Sequence, residues 1–505
     1  MDLLTDLARG FEVAFTWQNM GLALIGCFLG TIIGVLPGLG PSNGVALLIP
    51  LVFSTGLQAT PALIMLASVY YGSMYGGAIS SILINIPGDE PAVMTTIDGY
   101  PMAQQGRAGE ALALSGISSF AGSFIATIGV ALFSPLLVEM ALLFGPAEYF
   151  ALFTLAFATL GLVSTANPWK STLAAALGLC VAMVGIDSAT GTQRFTFGSI
   201  YLLDGINFLV VIVGLFAISE VLLFMEHKRG DQPVSTRIDR ITVPFATLRK
   251  CAGSIMRGTG IGFIAGVLPG AGASLGSFLA YTVEKRVSDR GTFGKGDPRG
   301  LAAPEAGNNA AAGGALIPML ALGVPGSGTT AVLLAMLLTL NITPGPLLFQ
   351  NNPDIVWGLI AALFIANVML FLINVPLVGI FASILRVPPR VLMPAIAMVS
   401  CIGIYGLSGS TFDLLVMIAF GVGGYILRKL DVPLVPILLG VLLGSRMEDN
   451  LRQALTISDG NWSVLWKSPL CMLLWGLAIL GFVTPILIGR FLRPKVPATV
   501  ALDPD

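Results

Sequence analysis

The chain has 505 residues, of which 55% are hydrophobic and only 10% charged; its mean hydropathy is +0.88 and its formal net charge is −1. Soluble domains carry about a quarter charged residues, so this composition excludes an ordinary water-soluble protein and implies an all-α polytopic membrane protein, with nothing suited to nucleic acid. Five scattered cysteines without a CxxC, and one histidine (His227) in a basic loop, leave no basis for a disulfide framework, a zinc site or a histidine-based triad.

Taken in order, Met1–Phe15 carries Asp2, Asp6 and Glu12 but no basic stretch, which argues against a cleaved signal peptide and for a short interfacial helix or a mobile start. Residues 20–36 form the first apolar run and break at Pro37 in the motif GVLPGLGPSNG, residues 34–44. Residues 44–57 continue it but are too short to cross a bilayer comfortably at roughly 20 residues per span. Residues 61–88 are dense in small side chains (Ser68, Gly72, Ser73, Gly76, Gly77, Ala78) that allow close helix approach, and end at a second breaker, Asn85-Ile86-Pro87-Gly88. A polar stretch follows, and then apolar runs at about 110–144, 147–165, 170–187 and 205–225, with Pro135, Pro146 and Pro168 marking bends or ends.

Residues 226–250 hold six Lys/Arg and read as a cytoplasmic linker. They divide the chain into a first transmembrane repeat (1–225), the linker, a second repeat (251–495) and a C-terminal tail (496–505). The second half echoes the first: GVLPGAGASLG, residues 266–276, lies 232 residues after its partner, and Val324-Pro325-Gly326 supplies a fourth break. Pro269 and Pro325 are 56 residues apart, Pro37 and Pro87 only 50, the difference falling in the charged loop Glu284–Arg299. Basic loops on both sides of residues 253–283 place both ends of that segment on one face of the membrane, as a re-entrant hairpin requires. Later runs cover about 311–323, 328–340, 354–385, 391–408, 412–428, 432–444 and 468–489, giving roughly 10–12 spans in two sequence-related repeats with broken helices.

Proline removes a backbone donor, and glycine admits angles that other residues avoid. At membrane depth a broken backbone must be buried in protein or line a watery cavity. A single break would be an ordinary kink. Two near-identical breaks in corresponding places, with two further ones, point instead to a transporter's binding site at the midplane.

GVLPGLGPSNG, GVLPGAGASLG and PEAGNNAAAGGALIPMLALGVPGSGTTAVLL (residues 304–334) resemble the large membrane subunit of the tripartite tricarboxylate transporters, the TctA family. The family's pattern usually reads Pro-Glu-Ala-Ala-Asn-Asn, so Gly307 is a small departure. The likeness covers essentially the whole chain. It implies cation-coupled uptake of citrate-like carboxylates across the bacterial inner membrane. Its partners would be a periplasmic solute-binding protein that delivers substrate and a small membrane subunit of the four-helix type. A passive channel, a stand-alone organic-anion carrier and an intramembrane enzyme are the rival readings; no HExxH or GxSxG supports the last.

A half-helix N-terminus offers free N–H groups and about half a positive charge to an anion. The substrate is therefore expected at Gly38, Gly40, Ser42, Asn43, Gly270, Gly272, Ser274, Ser327, Thr329 and Thr330, where helix capping is the plainer role of each hydroxyl or amide. Asn85, Asn308 and Asn309 are the candidate ligands of a coupling cation, Na+ in the first place with a proton as the alternative; no other cofactor or metal is expected. Glu305 sits in what reads as a first helical turn, and Asp89 and Glu90 would repel an anion. Glu139, Asp187, Asp204, Glu220 and Asp413 lie in or beside apolar runs, where ionisable residues can mark ion routes. No Lys or Arg lies within the breaks, so helix termini, bound cations, Arg107 or Arg257 would have to balance a tricarboxylate.

Overall fold

A computed structural model describes residues 3–36, 38–163, 168–187, 189–226, 240–270, 272–385 and 389–491. Pro37, Ala271, His227, the basic linker from 227 to 239 and the C-terminal tail lie outside the described residues.

The first half runs α1 (Leu3–Ala14), α2 (Trp17–Val35), α3 (Gly40–Ser54), α4 (Ala59–Ile84), α5 (Val93–Met102), α6 (Ala108–Ala141), α7 (Pro146–Val163), α8 (Pro168–Ala182) and α9 (Phe208–Glu226). A two-stranded antiparallel hairpin, β1 (Gly185–Ile186) with β2 (Gln193–Arg194), sits between α8 and α9. The second half runs α10 (Phe245–Val267), α11 (Gly272–Ser288), α12 (Pro298–Gly314), α13 (Leu316–Leu322), α14 (Gly328–Thr339), α15 (Pro353–Asn374), α16 (Val378–Ile384), α17 (Pro389–Ser408), α18 (Thr411–Lys429), α19 (Val435–Ile457) and α20 (Pro469–Phe491). Among the described residues six helices are long and apolar enough to cross a membrane, and five shorter apolar helices accompany them. The chain is an all-α polytopic membrane protein.

Polarity is arranged as a bilayer dictates. α4 and α12 are buried along almost their whole length, one central helix from each half. Leu132, Phe133 and Leu136 of α6, Leu415, Ile418 and Val422 of α18, and Leu473 and Leu480 of α20 point outward. In water so much exposed apolar surface would aggregate, whereas against lipid it costs nothing.

Close packing around the central helices rests on glycine. Gly26, Gly30 and Gly34 form a stripe on α2, and a Cβ on any of them would run into the carbonyl of Met65, Val69 or Ser73 of α4. The second half repeats this contact by contact: Gly258, Gly262 and Gly266 of α10 press on the carbonyls of Ala303, Gly307 and Ala311 of α12. Without a hydrophobic drive between helices in lipid, such backbone approach is what holds them together.

Several element bounds differ from the sequence reading. The 354–385 run is split into α15 and α16. The run expected to end near 444 continues as helix to Ile457, a charged segment in which Glu448 and Arg452 pair with each other and with Arg194 and Asp187. α12 begins at Pro298, so Glu305 lies in the middle of a helix and not in its first turn. The polar stretch after the second break is helical, interrupted by a π-helical turn at 103–107 in which Gly106 takes φ +76°.

Candidate functional site

Each of the four breaks frees backbone groups that a helix would have paired, and some of these bond from one break to another. α2 stops at Val35 and α3 starts at Gly40; between and at that start, Gly38 and Gly40 take φ of +87° and +61°. The matching residues before and at α11, Gly270 and Gly272, take +78° and +64°. These left-handed values favour glycine, which explains the Gly-x-Gly of both motifs. The second and fourth breaks match as well, since α4 ends on left-handed Asn85 (φ +57°) and α13 on left-handed Gly323 (φ +68°).

Within each half the two breaks are tied through backbone: Gly38 N–H donates to the Gly88 carbonyl at 3.3 Å, and Gly272 N–H to the Gly326 carbonyl at 3.1 Å. Across the halves they are tied through side chains. Ser42 Oγ lies 2.9 Å from Thr329 Oγ1, joining the first break to the fourth. Ser274 Oγ donates to Glu90 Oε2 at 3.2 Å, joining the third to the second, and Ser277 Oγ donates to the Pro91 carbonyl at 2.9 Å. The four breaks thus form a closed ring of contacts. Thr159 of α7 donates to the Pro269 carbonyl, another group the break frees.

Ser327 and Thr330 have the plainer role. Ser327 Oγ accepts from Thr330 N–H at 3.2 Å while Thr330 Oγ1 accepts from Ser327 N–H at 2.8 Å, a reciprocal cap on α14. Asn43, 7% exposed, donates its amide to the Gly38 carbonyl and to Glu220 Oε2, both at 3.4 Å. Asn85 is exposed at the end of α4. Asn308 and Asn309 are buried inside α12, and no hydrogen bond joins either to Asn85 among the described residues. The expected cation trio is therefore divided between a helix end and a helix interior.

Neither basic residue suggested by the sequence reaches the breaks. Arg107 pairs with Glu110 at 2.8 Å, and Arg257 with Glu284 at 2.8 Å. Two other arginines do: Arg428 of α18, paired with Glu220 of α9, whose carboxylate lies beside Gly38, and Arg446 of α19, whose guanidinium lies beside Gly323. No sequence signal announces the Arg428–Glu220 pair, because 208 positions separate its members. Asp187 is engaged in an ion-pair cluster at the hairpin with Arg194 and Arg452.

The sequence model of the tripartite tricarboxylate transporter TctA family matches residues 20–439, which include all four breaks. The chain is 39% identical over 502 residues to a protein of Agrobacterium vitis described as an uncharacterized 52.8 kDa protein in the TAR-I ttuC' 3' region; the match covers 98% of this chain and 99% of that one. A second Agrobacterium vitis protein, described by its place in the TAR-II ttuC' 3' region, is 38% identical over 227 residues, 45% of this chain and 94% of its own. No solved structure matches the chain.

Proposed function

The chain belongs to the tripartite tricarboxylate transporter TctA family, and from that premise we propose that it is the large transport subunit of a tripartite, cation-coupled importer of tricarboxylates or related organic acids. It works without catalysing a reaction, in the bacterial inner membrane. A periplasmic solute-binding protein delivers the substrate, and a small membrane subunit completes the assembly.

The observation that carries this reading is the ring of four breaks, in which Ser42 meets Thr329 and Ser274 meets Glu90. Broken helices converging at one place from two halves put N–H-rich helix starts and hydroxyls where a carboxylate can be held by charge-assisted hydrogen bonds of about 1.5–3 kcal/mol each. Two or three such bonds hold an anion and still release it. Gly40 and Gly272 admit the substrate close to the backbone, and Arg428 supplies the positive charge that the motifs lack. The matching geometry of the two halves supports a pseudo-two-fold relation between repeats that close the site alternately from each side. Na+ is the coupling ion we put first.

The test is uptake of labelled citrate and other di- and tricarboxylates into proteoliposomes holding the large and small subunits, with and without the binding protein and Na+. Accumulation against a gradient, dependent on the binding protein, is the expected result. Downhill flux alone would overturn the reading in favour of a passive channel.

A further inference from the structure

Several buried or half-buried carboxylates in this bundle have a cation beside them: Glu220 has Arg428, Glu284 has Arg257, Glu110 has Arg107 and Asp297 has Arg299. Asp98 instead accepts three backbone N–H bonds, from Gly294, Gly296 and Asp297, with Tyr281 Oη as a fourth donor. Glu305 has neither arrangement. It is 0% exposed in the middle of α12, and among the described residues no Lys or Arg pairs with it. Its donors are neutral hydroxyls: Thr95 of α5 to Oε1, and Ser119 of α6 to Oε2 at 3.0 Å, with Ser115 one turn away reaching the same carboxyl.

A bare carboxylate at such a place costs far more than hydroxyls return. The charge has to be met by a cation that comes and goes. A second, independent observation concerns the next turn of the same helix. Asn309 Nδ2 donates to the Glu305 carbonyl at 3.1 Å, which holds its amide over Glu305, yet its Oδ1 is buried without a partner. Asn308, 1% exposed, has neither its Oδ1 nor its Nδ2 partnered. Buried amides are almost always hydrogen-bonded, so unspent oxygens beside a carboxylate mark a place prepared for a ligand. On the far side of Ser115 a cavity of about 10 Å³, room for one water-sized particle, is lined by Tyr75 and Asn374 and by none of these oxygens. Carboxylate, hydroxyl and amide oxygens are the donors a hard cation takes.

We propose that Glu305 binds the coupling cation, with Thr95, Ser119 and Asn309 completing its oxygen shell. This rests on the transporter reading above and moves the ion site away from Asn85, into the contact between α12, α5 and α6. The cation is monovalent, a Na+ held by the oxygens or a proton taken up by the carboxyl. The titratable neighbours are Asp89, in the second break, and Tyr75 of α4. Neutralising Glu305 lets the helices close with substrate bound.

The test uses the purified full-length protein and proteoliposomes. In wild type, raising Na+ at fixed pH, or lowering pH without Na+, raises the thermal midpoint, and whichever cation does so is the ligand. Glu305→Gln, which mimics the neutral state, should be insensitive to that cation, keep substrate exchange between equal pools and lose gradient-driven accumulation. Thr95→Ala or Ser119→Ala should weaken the apparent cation affinity about tenfold. A folded Glu305→Gln protein whose midpoint still responds to the cation as wild type does would overturn the proposal, whether or not it transports. Absence of all uptake and exchange in wild type would instead count against the transporter reading itself.

Discussion

Ser42 Oγ and Thr329 Oγ1 lie 2.9 Å apart although 287 positions separate them in the chain. The contact joins the start of α3, just past the first break, to the start of α14, just past the fourth, and so holds the two halves closed at one point of the ring. If the halves separate to admit substrate, this contact must open. With cysteines at both positions in a background lacking the five native ones, oxidation should block uptake and reductant should restore it. Undiminished uptake by fully cross-linked protein would mean that this side of the ring never opens.

Gly40 and Gly272 differ from the packing glycines in one decisive respect. A Cβ on Gly40 would meet Asp89 Cβ at 3.6 Å, and one on Gly272 would meet Ser327 Cβ at 3.6 Å and the Gly326 carbonyl at 3.9 Å, all ordinary contacts. The obstacle is the left-handed backbone, which costs an L-residue about 1–2 kcal/mol. Gly40→Ala and Gly272→Ala should therefore stay folded with reduced transport. The valine variants, β-branched and filling the approach to the backbone, should lose transport while still inserting in the membrane. Initial uptake rates normalised to membrane-inserted protein check both expectations. Wild-type rates in both valine variants would show that the breaks are structural kinks.

Gly30 and Gly262 should behave in the opposite way. Their missing Cβ atoms would overlap the carbonyls of Val69 and Gly307, backbone that cannot step aside. Alanine at either position should cost about 1–3 kcal/mol of stability through overpacking. A fall in thermal midpoint with unchanged KM in the surviving protein is the expected signature. A shift in KM at constant stability would refute the packing role.

At the β-hairpin, Arg452 donates to both carboxylate oxygens of Asp187, at 3.0 and 2.7 Å, and holds that carboxyl well below the usual carboxylate range. A depressed carboxylate contributes stability above its unfolded value, and that stability is lost as pH falls through the depressed folded value. The wild-type hairpin should accordingly keep most of its amide protection down through pH 3. In Arg452→Ala, with only Arg194 left beside Asp187 at 3.3 Å, the loss should move up toward the ordinary carboxylate value of 3.8. Hydrogen exchange of residues 185–194 across pH 3 to 6 reads the difference.

The breaks were legible in the sequence because backbone chemistry is local. Pro-Gly-x-Gly stops a helix wherever it stands, and its recurrence revealed the matching positive φ values at Gly40 and Gly272. The glycine stripe was written there too, as Gly26-x3-Gly30-x3-Gly34, but its partner helix was not. What could not be read was which side chains the folded chain brings together. Glu305 looked like a first-turn acid because the helix before it, Pro298 to Pro304, carries a low apolar content and two prolines. Burial turned the same residue into a carboxylate with no counter-charge. Capping by Ser327 and Thr330 was legible as a possibility, and only the reciprocal geometry decided between capping and ligand.

Arg428 was invisible in the same way, and it yields the sharpest test of the substrate site. Its guanidinium is 24% exposed and pairs with Glu220, whose carboxylate is 6% exposed and also accepts from Asn43. Arg428→Ala strands Glu220 beside Gly38. A fully buried pair broken this way costs about 3–5 kcal/mol, and partial solvent access at Arg428 lowers the figure to roughly 2–3 kcal/mol. Adding Glu220→Gln removes the stranded charge, so the double variant should regain most of the lost thermal stability. If Arg428 serves only Glu220, transport should return along with stability. If it also balances the substrate's charge, the double variant should be stable yet show a KM raised at least tenfold, with the greatest loss for the most highly charged acids. Comparing KM for mono-, di- and tricarboxylates in wild type and double variant separates the two roles, and a uniform wild-type KM across the series would remove Arg428 from the site.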